Sequence, residues 1–100
     1  MGYTVQGFEW DAGNREKCQK HGVSLREIEL VFQHTPGVYP DPAHSQEETR
    51  FRAIGRAKDR YIFVVFTLRH HAGLTLIRPI SARYMHEREI RHYEQQQKTS

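Results

Sequence analysis

Cysteine is scarce in this chain of 100 residues, and long apolar runs are missing. Cys18 is the only cysteine, which excludes an internal disulfide and a zinc site built from several thiolates. The longest apolar run, Tyr61 to Leu68, is interrupted by Thr67 and falls far short of the ~18 residues that a membrane span needs. The opening MGYTVQGFEWD lacks the basic and then apolar pattern of a signal peptide. We therefore expect a cytoplasmic protein with no membrane segment.

The chain has room for one modest core. Of its 100 residues, 37% are hydrophobic and 27% are charged. A chain of this length forms one domain and buries roughly 60–70% of the surface that it exposes when unfolded. We expect a single domain over residues 1–100, with frayed ends at 1–7 and 95–100.

Charge is distributed unevenly along the chain. Residues 1–49 contain four basic and eight acidic side chains, and residues 50–100 contain eleven basic and four acidic ones. Nine of the eleven are arginines, whose planar fork matches the oxygens of phosphate and carboxylate groups. A basic, arginine-rich half is consistent with binding to nucleic acid or to an acidic protein, although a solvated charged surface would look the same.

The hydrophobic periodicity predicts an α+β domain, because runs of strands are separated from helices. Ser24 and Glu27 form a capping box that starts a helix, and a short strand near Val38 is expected inside the proline-rich loop 33–48. Pro79 implies an edge position or a bulge. The predicted elements are a strand at Phe8 and Trp10, helices Asp11–His21 and Ser24–Phe32, antiparallel strands Arg50–Arg56, Arg60–Arg69 and Leu74–Ser81, and a helix from Ala82.

Common signatures of metal and nucleotide sites are absent from the sequence. In HEREI, Ile90 stands where the second histidine of a HExxH zinc motif is needed. His70 and His71 are adjacent and should point to opposite sides of a strand. No glycine-rich phosphate loop is present. We expect no metal site and no nucleotide cofactor.

Several basic and acid–base residues remain as candidates for a site. Lys17, Lys20 and His21 are spaced to share one helix face, and Asn14 extends that face. The other candidates are Arg69 at the end of the apolar strand, Arg78 and Arg83 around the end of the next strand, and His44 and Glu47 in the long loop. For each of them a solvent-facing charge is the simpler explanation, and for His21 a helix C-terminal cap.

Six short blocks give the sequence a family likeness. They are FEWD (Phe8–Asp11), KHGVS (Lys20–Ser24), HSxxExRF (His44–Phe51), AIG (Ala53–Gly55), FVVFTLR (Phe63–Arg69) and IRPISARYM (Ile77–Met85), followed by a helix with Glu87, Glu89, Tyr93 and Glu94. In this order they resemble the BrnT toxin family of bacterial type II toxin–antitoxin systems, over about residues 8–94.

The resemblance implies a fold and a function beyond those that the spacing shows. The implied fold is RelE-like, an antiparallel sheet packed by two N-terminal helices and one C-terminal helix. The implied activity is that of a ribonuclease which needs no metal or other cofactor and arrests translation. The implied partners are RNA and a BrnA-like antitoxin, which forms a heteromeric complex with the toxin and itself contacts DNA.

Metal-independent cleavage of RNA assigns a role to each candidate. The 2′-hydroxyl must attack the adjacent phosphate, a group must move protons, and fixed donors must stabilise the added charge. Arginine donors suit the charge role, and histidine suits proton transfer. We assign the catalytic roles to Arg83, Arg69, His21, Arg78 and His44. We assign RNA binding to Lys17, Lys20, Tyr84 and Glu47, with Tyr84 or Trp10 available to stack on a base.

Two other functions remain open at this point. The same basic half would serve an RNA- or protein-binding module that cuts nothing. An inactive toxin homologue acting in operon regulation would also keep these residues. Product formation beyond one equivalent in the presence of EDTA would separate an enzyme from both.

Overall fold

The computed structural model describes residues 5–44 and 47–99, without the side chains of His44 and Thr99. The elements in chain order are β1 (Gly7–Phe8), α1 (Ala12–Gln19), α2 (Leu25–Gln33), β2 (Gly37–Pro40), a 3-10 turn (Pro42–His44), β3 (Phe51–Ala57), β4 (Arg60–His71), β5 (Leu74–Tyr84) and α3 (Glu87–Thr99).

The strands form one mixed sheet in the order β1-β5-β4-β3-β2. Strands β2, β3, β4 and β5 pair with one another in antiparallel fashion, whereas β1 pairs parallel with β5 through Phe8 and Ile77. The α+β class and the three predicted antiparallel strands, which are β3, β4 and β5, are confirmed, and the parallel β1 makes the sheet mixed. Alternating apolar residues indicate a strand without fixing its direction, and the long connection between β1 and β5 permits either direction. The RelE-like arrangement stays a prediction.

The hydrophobic core lies on one face of the sheet, which we call the first face. Here Ile62 and Val64 of β4 join Ile28 and Val31 of α2, and all four side chains have no exposed surface. Helix α2 approaches the sheet closely at Gly55, where a Cβ atom would lie 3.1 Å from Cγ1 of Val31. The other buried core residues are Cys18, Val23, Ala53, Ala57, Phe66, Ile77 and Ala82.

Helix α3 packs against the opposite side of the sheet, which we call the second face. The residues of β4 that point to this face include Tyr61, Phe63, Thr67, Arg69 and His71. The rings of Tyr61 and Tyr93 meet edge to face at 5.9 Å. The Tyr61 hydroxyl also donates to Oε2 of Glu94 at 3.2 Å. Further along β4, the side chains of Arg69 and His71 are 40% and 60% exposed, so this part of the second face is accessible to a ligand.

Three local predictions are confirmed. Ser24 and Glu27 form the expected reciprocal cap of α2, with the Glu27 amide donating to Oγ of Ser24 at 3.1 Å. The short strand near Val38 is β2. The β4–β5 register shifts at Pro79, so the expected bulge is present.

The boundaries of the terminal elements differ from the prediction. The C-terminal helix does not begin at Ala82, because β5 continues to Tyr84 and α3 starts only at Glu87. Pairing with Ile62 and Phe63 of β4 keeps this segment extended. At the C-terminus α3 runs through Thr99, into the segment 95–100 that the composition predicts to be frayed. Residues 1–4 of the other predicted frayed segment, 1–7, lie outside the described residues.

Candidate active site

A carboxylate, an imidazole and two guanidinium groups meet on the accessible part of the second face. Oε1 of Glu9 accepts a hydrogen bond from Nη1 of Arg78 at 3.0 Å. The other carboxylate oxygen, Oε2, lies 2.6 Å from Nε2 of His71. Nε of Arg69 lies 3.8 Å from Oε1 of Glu9. We call Glu9, Arg69, His71 and Arg78 the Glu9 cluster.

Strand pairing places the members of the Glu9 cluster. Phe8 pairs with Ile77 across β1 and β5, so the next residues along the two strands, Glu9 and Arg78, are neighbours. Arg69 and His71 are two residues apart on β4 and therefore point to the same face. The cluster thus combines a residue that follows the edge strand β1 with residues of the consecutive strands β4 and β5, which are distant from β1 in the sequence.

Two acidic residues border the cluster. Oδ2 of Asp11 accepts from Nη1 of Arg78 at 2.9 Å, and Nη2 of Arg69 lies 3.1 Å from Oε2 of Glu48. The Asn14 backbone amide, and then Arg78, hold the pKa of Asp11 below its ordinary value. Both contacts of Arg78 with carboxylates use Nη1 alone. The fork carries five N–H groups, so several remain beyond these two carboxylates for another acceptor such as a phosphate oxygen.

Asn14 holds the backbone next to the cluster and does not belong to a basic helix face. Its side chain is 4% exposed, and Nδ2 donates to the carbonyl oxygens of Glu9 and Pro79, both at 2.9 Å. Its side-chain oxygen accepts from the Asp11 amide at 2.7 Å. These bonds tie the start of α1 to the end of β1 and to β5. The expectation that Asn14 extends the face of Lys17 and His21 is therefore wrong. Asn14 is buried, and its side chain forms hydrogen bonds with backbone groups.

Arg83 lies on the second face but away from the Glu9 cluster. Its strand partner is Phe63, whereas the partner of Arg78 is Thr67; four residues of a strand separate the two by about 13 Å. The guanidinium group of Arg83 contacts the carboxylate of Glu89 at 2.8 and 2.9 Å and lies 4.7 Å from the centroid of the Phe63 ring. The hydrogen bond with Glu89 raises the pKa of Arg83 above its ordinary value.

His21, Lys20 and Lys17 lie on the other side of the sheet from Arg83. All three are exposed at the C-terminal end of α1. The turn that follows them lies beside Tyr84, whose hydroxyl is 3.5 Å from the carbonyl oxygen of Gly22. Because neighbouring residues of a strand face opposite sides, Tyr84 and Arg83 point away from each other. Among the described residues, none of the three bonds to Arg69, Arg78 or Arg83, although Lys17 and Arg78 both lie near enough to Cys18 to oppose the rise in the pKa of its thiol.

The ring of Tyr84 already has contacts on the first face. Its hydroxyl donates to the Glu27 carboxylate at 2.9 Å, and the guanidinium carbon of Arg60 lies 3.4 Å from the ring centroid. Burial, and then Glu27, raise the pKa of Tyr84. Trp10 is partly buried and its Nε1 donates to Glu29 at 3.0 Å. Arg60 therefore covers one face of the Tyr84 ring.

Two candidates, His44 and Glu47, lie in the loop between β2 and β3. Glu47 is exposed. The backbone of His44 ends the 3-10 turn, and its side chain lies outside the described residues, as does Ser45 of the same block.

Within the described part of the chain, no group of three His, Cys, Asp or Glu residues converges in a metal-binding arrangement. The helices of that part include none long and apolar enough to cross a membrane.

Sequence reasoning missed Glu9 and His71. Glu9 lies between Phe8 and Trp10, so the alternation of the first strand already turns it away from the core. His71 was excluded as a metal ligand because its neighbour His70 points the other way. No local signal connects two residues that are 62 positions apart.

The comparison with protein families identifies the chain's relatives. A family model described as "Ribonuclease toxin, BrnT, of type II toxin-antitoxin system" matches residues 10–89. The chain belongs to the BrnT family. Among curated proteins, none matches it closely enough to count as a relative. The BrnT match includes Arg69, His71, Arg78 and Arg83, and it begins one residue after Glu9. Membership makes the chain a ribonuclease toxin of a type II system, with RNA and an antitoxin as its partners.

Proposed function

We propose that this toxin cleaves RNA without a metal ion, through attack of the RNA's own 2′-hydroxyl on the adjacent phosphate. This reaction needs an oriented phosphate, donors for the charge that develops on it, and groups that move protons. The products are a 2′,3′-cyclic phosphate and a 5′-hydroxyl. The activity would arrest translation in the cytoplasm by destroying RNA.

The Glu9 cluster is the observation that carries the proposal. Two arginines from neighbouring strands, Arg69 and Arg78, approach the same oxygen of Glu9 at 3.8 and 3.0 Å. Guanidinium forks that converge within this distance can together contact one phosphate, and they remain charged throughout the physiological pH range.

The remaining candidates extend the proposed RNA path. Arg83 shares the second face with the Glu9 cluster and would bind a phosphate further along the strand. Lys17, Lys20 and His21, on the other side of the sheet, would bind RNA that passes around the edge. The roles assigned from the sequence are kept for the other candidates: a catalytic role for His44, and RNA binding for Glu47 and Tyr84.

The test of the site is cleavage of total RNA in EDTA. We expect Arg69→Ala to lower the cleavage rate by about 100-fold, the effect of removing one fixed donor of charge stabilisation. Arg91→Ala is the matched control, because Arg91 forms an exposed pair with Glu87 on α3. Circular dichroism must match for all proteins, and the new ends must be 2′,3′-cyclic phosphates. Full activity of Arg69→Ala, or loss of all cleavage in EDTA, would refute the proposal.

The antitoxin in this proposal is a BrnA-like protein that neutralises the toxin and contacts DNA. Its support is membership of the type II family together with the resemblance of the sequence. Co-expression with such an antitoxin should restore growth and yield a stable complex. Growth arrest that persists despite complex formation would count against neutralisation.

One observation favours a binding module without catalysis as the second candidate. Arg69 and Arg78 both contact carboxylates, from Glu9, Asp11 and Glu48, as residues of a structural ion-pair network do. Turnover separates the two functions, because a binding module forms no product at any ratio of RNA to protein.

A further inference from the structure

The imidazole of His71 is held by one of its two nitrogens and is accessible through the rest of the ring. Nε2 lies 2.6 Å from Oε2 of Glu9, and the His71 side chain is 60% exposed, whereas that of Glu9 is 24% exposed. The second oxygen of Glu9 is bound by Nη1 of Arg78 at 3.0 Å. A carboxylate that is fixed in this way orients an imidazole and stabilises its protonated form, so that the other nitrogen can serve the substrate.

We infer that His71 is the catalytic acid of the proposed ribonuclease and that Glu9 is its positioning residue. This inference rests on the proposed function, and it adds a proton donor that the sequence had sought in His21 or His44. Imidazole suits the task because it exchanges protons near neutral pH.

The step balances as follows. The 2′-oxygen forms a bond to phosphorus while its proton passes to a water molecule. The bond between phosphorus and the 5′-oxygen breaks, and its electron pair stays on that oxygen. The protonated His71 ring donates its Nδ1 proton to the 5′-oxygen and becomes neutral, while Arg69 and Arg78 stabilise the charge on the phosphate.

The neighbouring histidine provides a matched control. His70 lies next to His71 on β4 but points to the first face, where its Nδ1 lies 3.1 Å from the Thr75 hydroxyl. The charged groups around His71 are Glu9 at the end of β1 and, behind it, Arg78, Arg69 and Asp11, while its partner on β5 is the apolar Leu74. The two histidines therefore share exposure and position on the strand and differ in their contact with Glu9.

The experiment compares ordinary RNA with RNA in which sulfur replaces the 5′-bridging oxygen at the cleaved bond. A thiol has a pKa near 8.5, so the thiolate leaves without a proton donor. We expect His71→Gln to slow cleavage of ordinary RNA by about 100-fold and cleavage of the sulfur substrate by less than about tenfold. His70→Gln should match the wild type on both substrates.

The two substrates also test the part assigned to Glu9. Glu9→Gln loses the carboxylate that holds the His71 ring at 2.6 Å, so it should slow cleavage of ordinary RNA more than cleavage of the sulfur substrate, as His71→Gln does. A purely structural role of Glu9 would slow cleavage of both substrates equally.

Each remaining outcome is decisive. Equal slowing of His71→Gln on the two substrates, or its full activity on ordinary RNA, would overturn the inference and leave the proposed ribonuclease intact. A wild type that cleaves no RNA in EDTA would instead overturn the proposed function, and the inference with it.

Discussion

The guanidinium group of Arg83 meets the carboxylate of Glu89 in a two-point hydrogen-bonded pair, with Nη1–Oε1 at 2.8 Å and Nη2–Oε2 at 2.9 Å. Oε1 of Glu89 also accepts the backbone amide of His86 at 2.9 Å, at the start of α3. No side chain of α3 that the structure describes is fully buried. This pair therefore links the helix to β5 at a place where little apolar packing does so.

Substitution of each partner of this pair separates a role in RNA cleavage from a role in folding. We expect Arg83→Ala, which loses a phosphate contact away from the Glu9 cluster, to lower RNA cleavage by about tenfold, mainly through a higher KM, with an unchanged circular dichroism spectrum. Glu89→Gln keeps the guanidinium group and frees it from its counter-charge, so cleavage should be retained or increased. Equal losses in both variants would indicate that Arg83 only anchors α3, and an active, folded Arg83→Ala would remove it from the mechanism.

The same pair predicts a pH-dependent part of the stability. Hydrogen bonding with Arg83, and then with the His86 amide, lowers the pKa of Glu89 from 4.5 to about 2. A lowered pKa stabilises the fold above the ordinary value, and this contribution is lost as pH falls from about 4.5 toward 2. Both side chains are 37% exposed, so water screens the pair and its contribution is about 1 kcal/mol or less.

Urea unfolding of the wild type and of Glu89→Gln measures this contribution. The difference in unfolding free energy should be present at pH 7 and should disappear near pH 2. A difference that stays constant over this range would show that the charge of Glu89 contributes nothing.

Asn14 should be important for stability because it satisfies three backbone groups from a buried position. Its side chain donates to the carbonyl oxygens of Glu9 and Pro79 and accepts from the Asp11 amide. Asn14→Ala leaves these groups without that partner, at a cost of about 1–3 kcal/mol for each group that water cannot reach. We expect a loss of at least about 2 kcal/mol in urea unfolding. Gln19→Ala, on the exposed side of α1, should change stability by less than about 0.5 kcal/mol.

The thiol of Cys18 should be unreactive in the folded protein. Its side chain has no exposed surface, and burial raises its pKa to about 11 against the opposing effect of Arg78 and Lys17. The thiolate, which is the reactive form, is therefore scarce at pH 8. A colorimetric thiol reagent should detect no thiol at pH 8 in the native protein and one thiol in guanidinium chloride. Rapid labelling of the native protein would contradict this burial.

Ile28 should affect the protein through stability alone. Its side chain is completely buried in the first-face core, so Ile28→Ala should cost about 2–5 kcal/mol. Val65, which is buried on the second face, should behave in the same way, whereas Phe63 contacts the Arg83 guanidinium group and should also affect the site. The cleavage rate per folded molecule should stay at the wild-type value when it is measured well below the lowered melting temperature. A specific loss of activity would show that the core also shapes the site.

Local features of the fold could be predicted from the sequence. The cap of α2 depends on two residues three positions apart, and the bulge in β5 follows from a proline that lacks an amide proton. The start of α3 could not be predicted in this way. Residues 82–84 have a helical pattern, yet pairing with β4 keeps them extended, and pairing with a distant strand is a tertiary interaction.

The sequence by itself determined the α+β class, the uneven charge and the family, because composition, periodicity and short motifs are properties of neighbouring residues. It also supplied Arg69 and Arg78 as candidates. The tertiary structure alone decided that these two arginines meet Glu9 and His71, and that Arg83 and His21 face opposite sides of the sheet. The physical reason is that a parallel pairing between β1 and β5 unites residues 69 positions apart, and no local pattern of side chains encodes the register of such a pair.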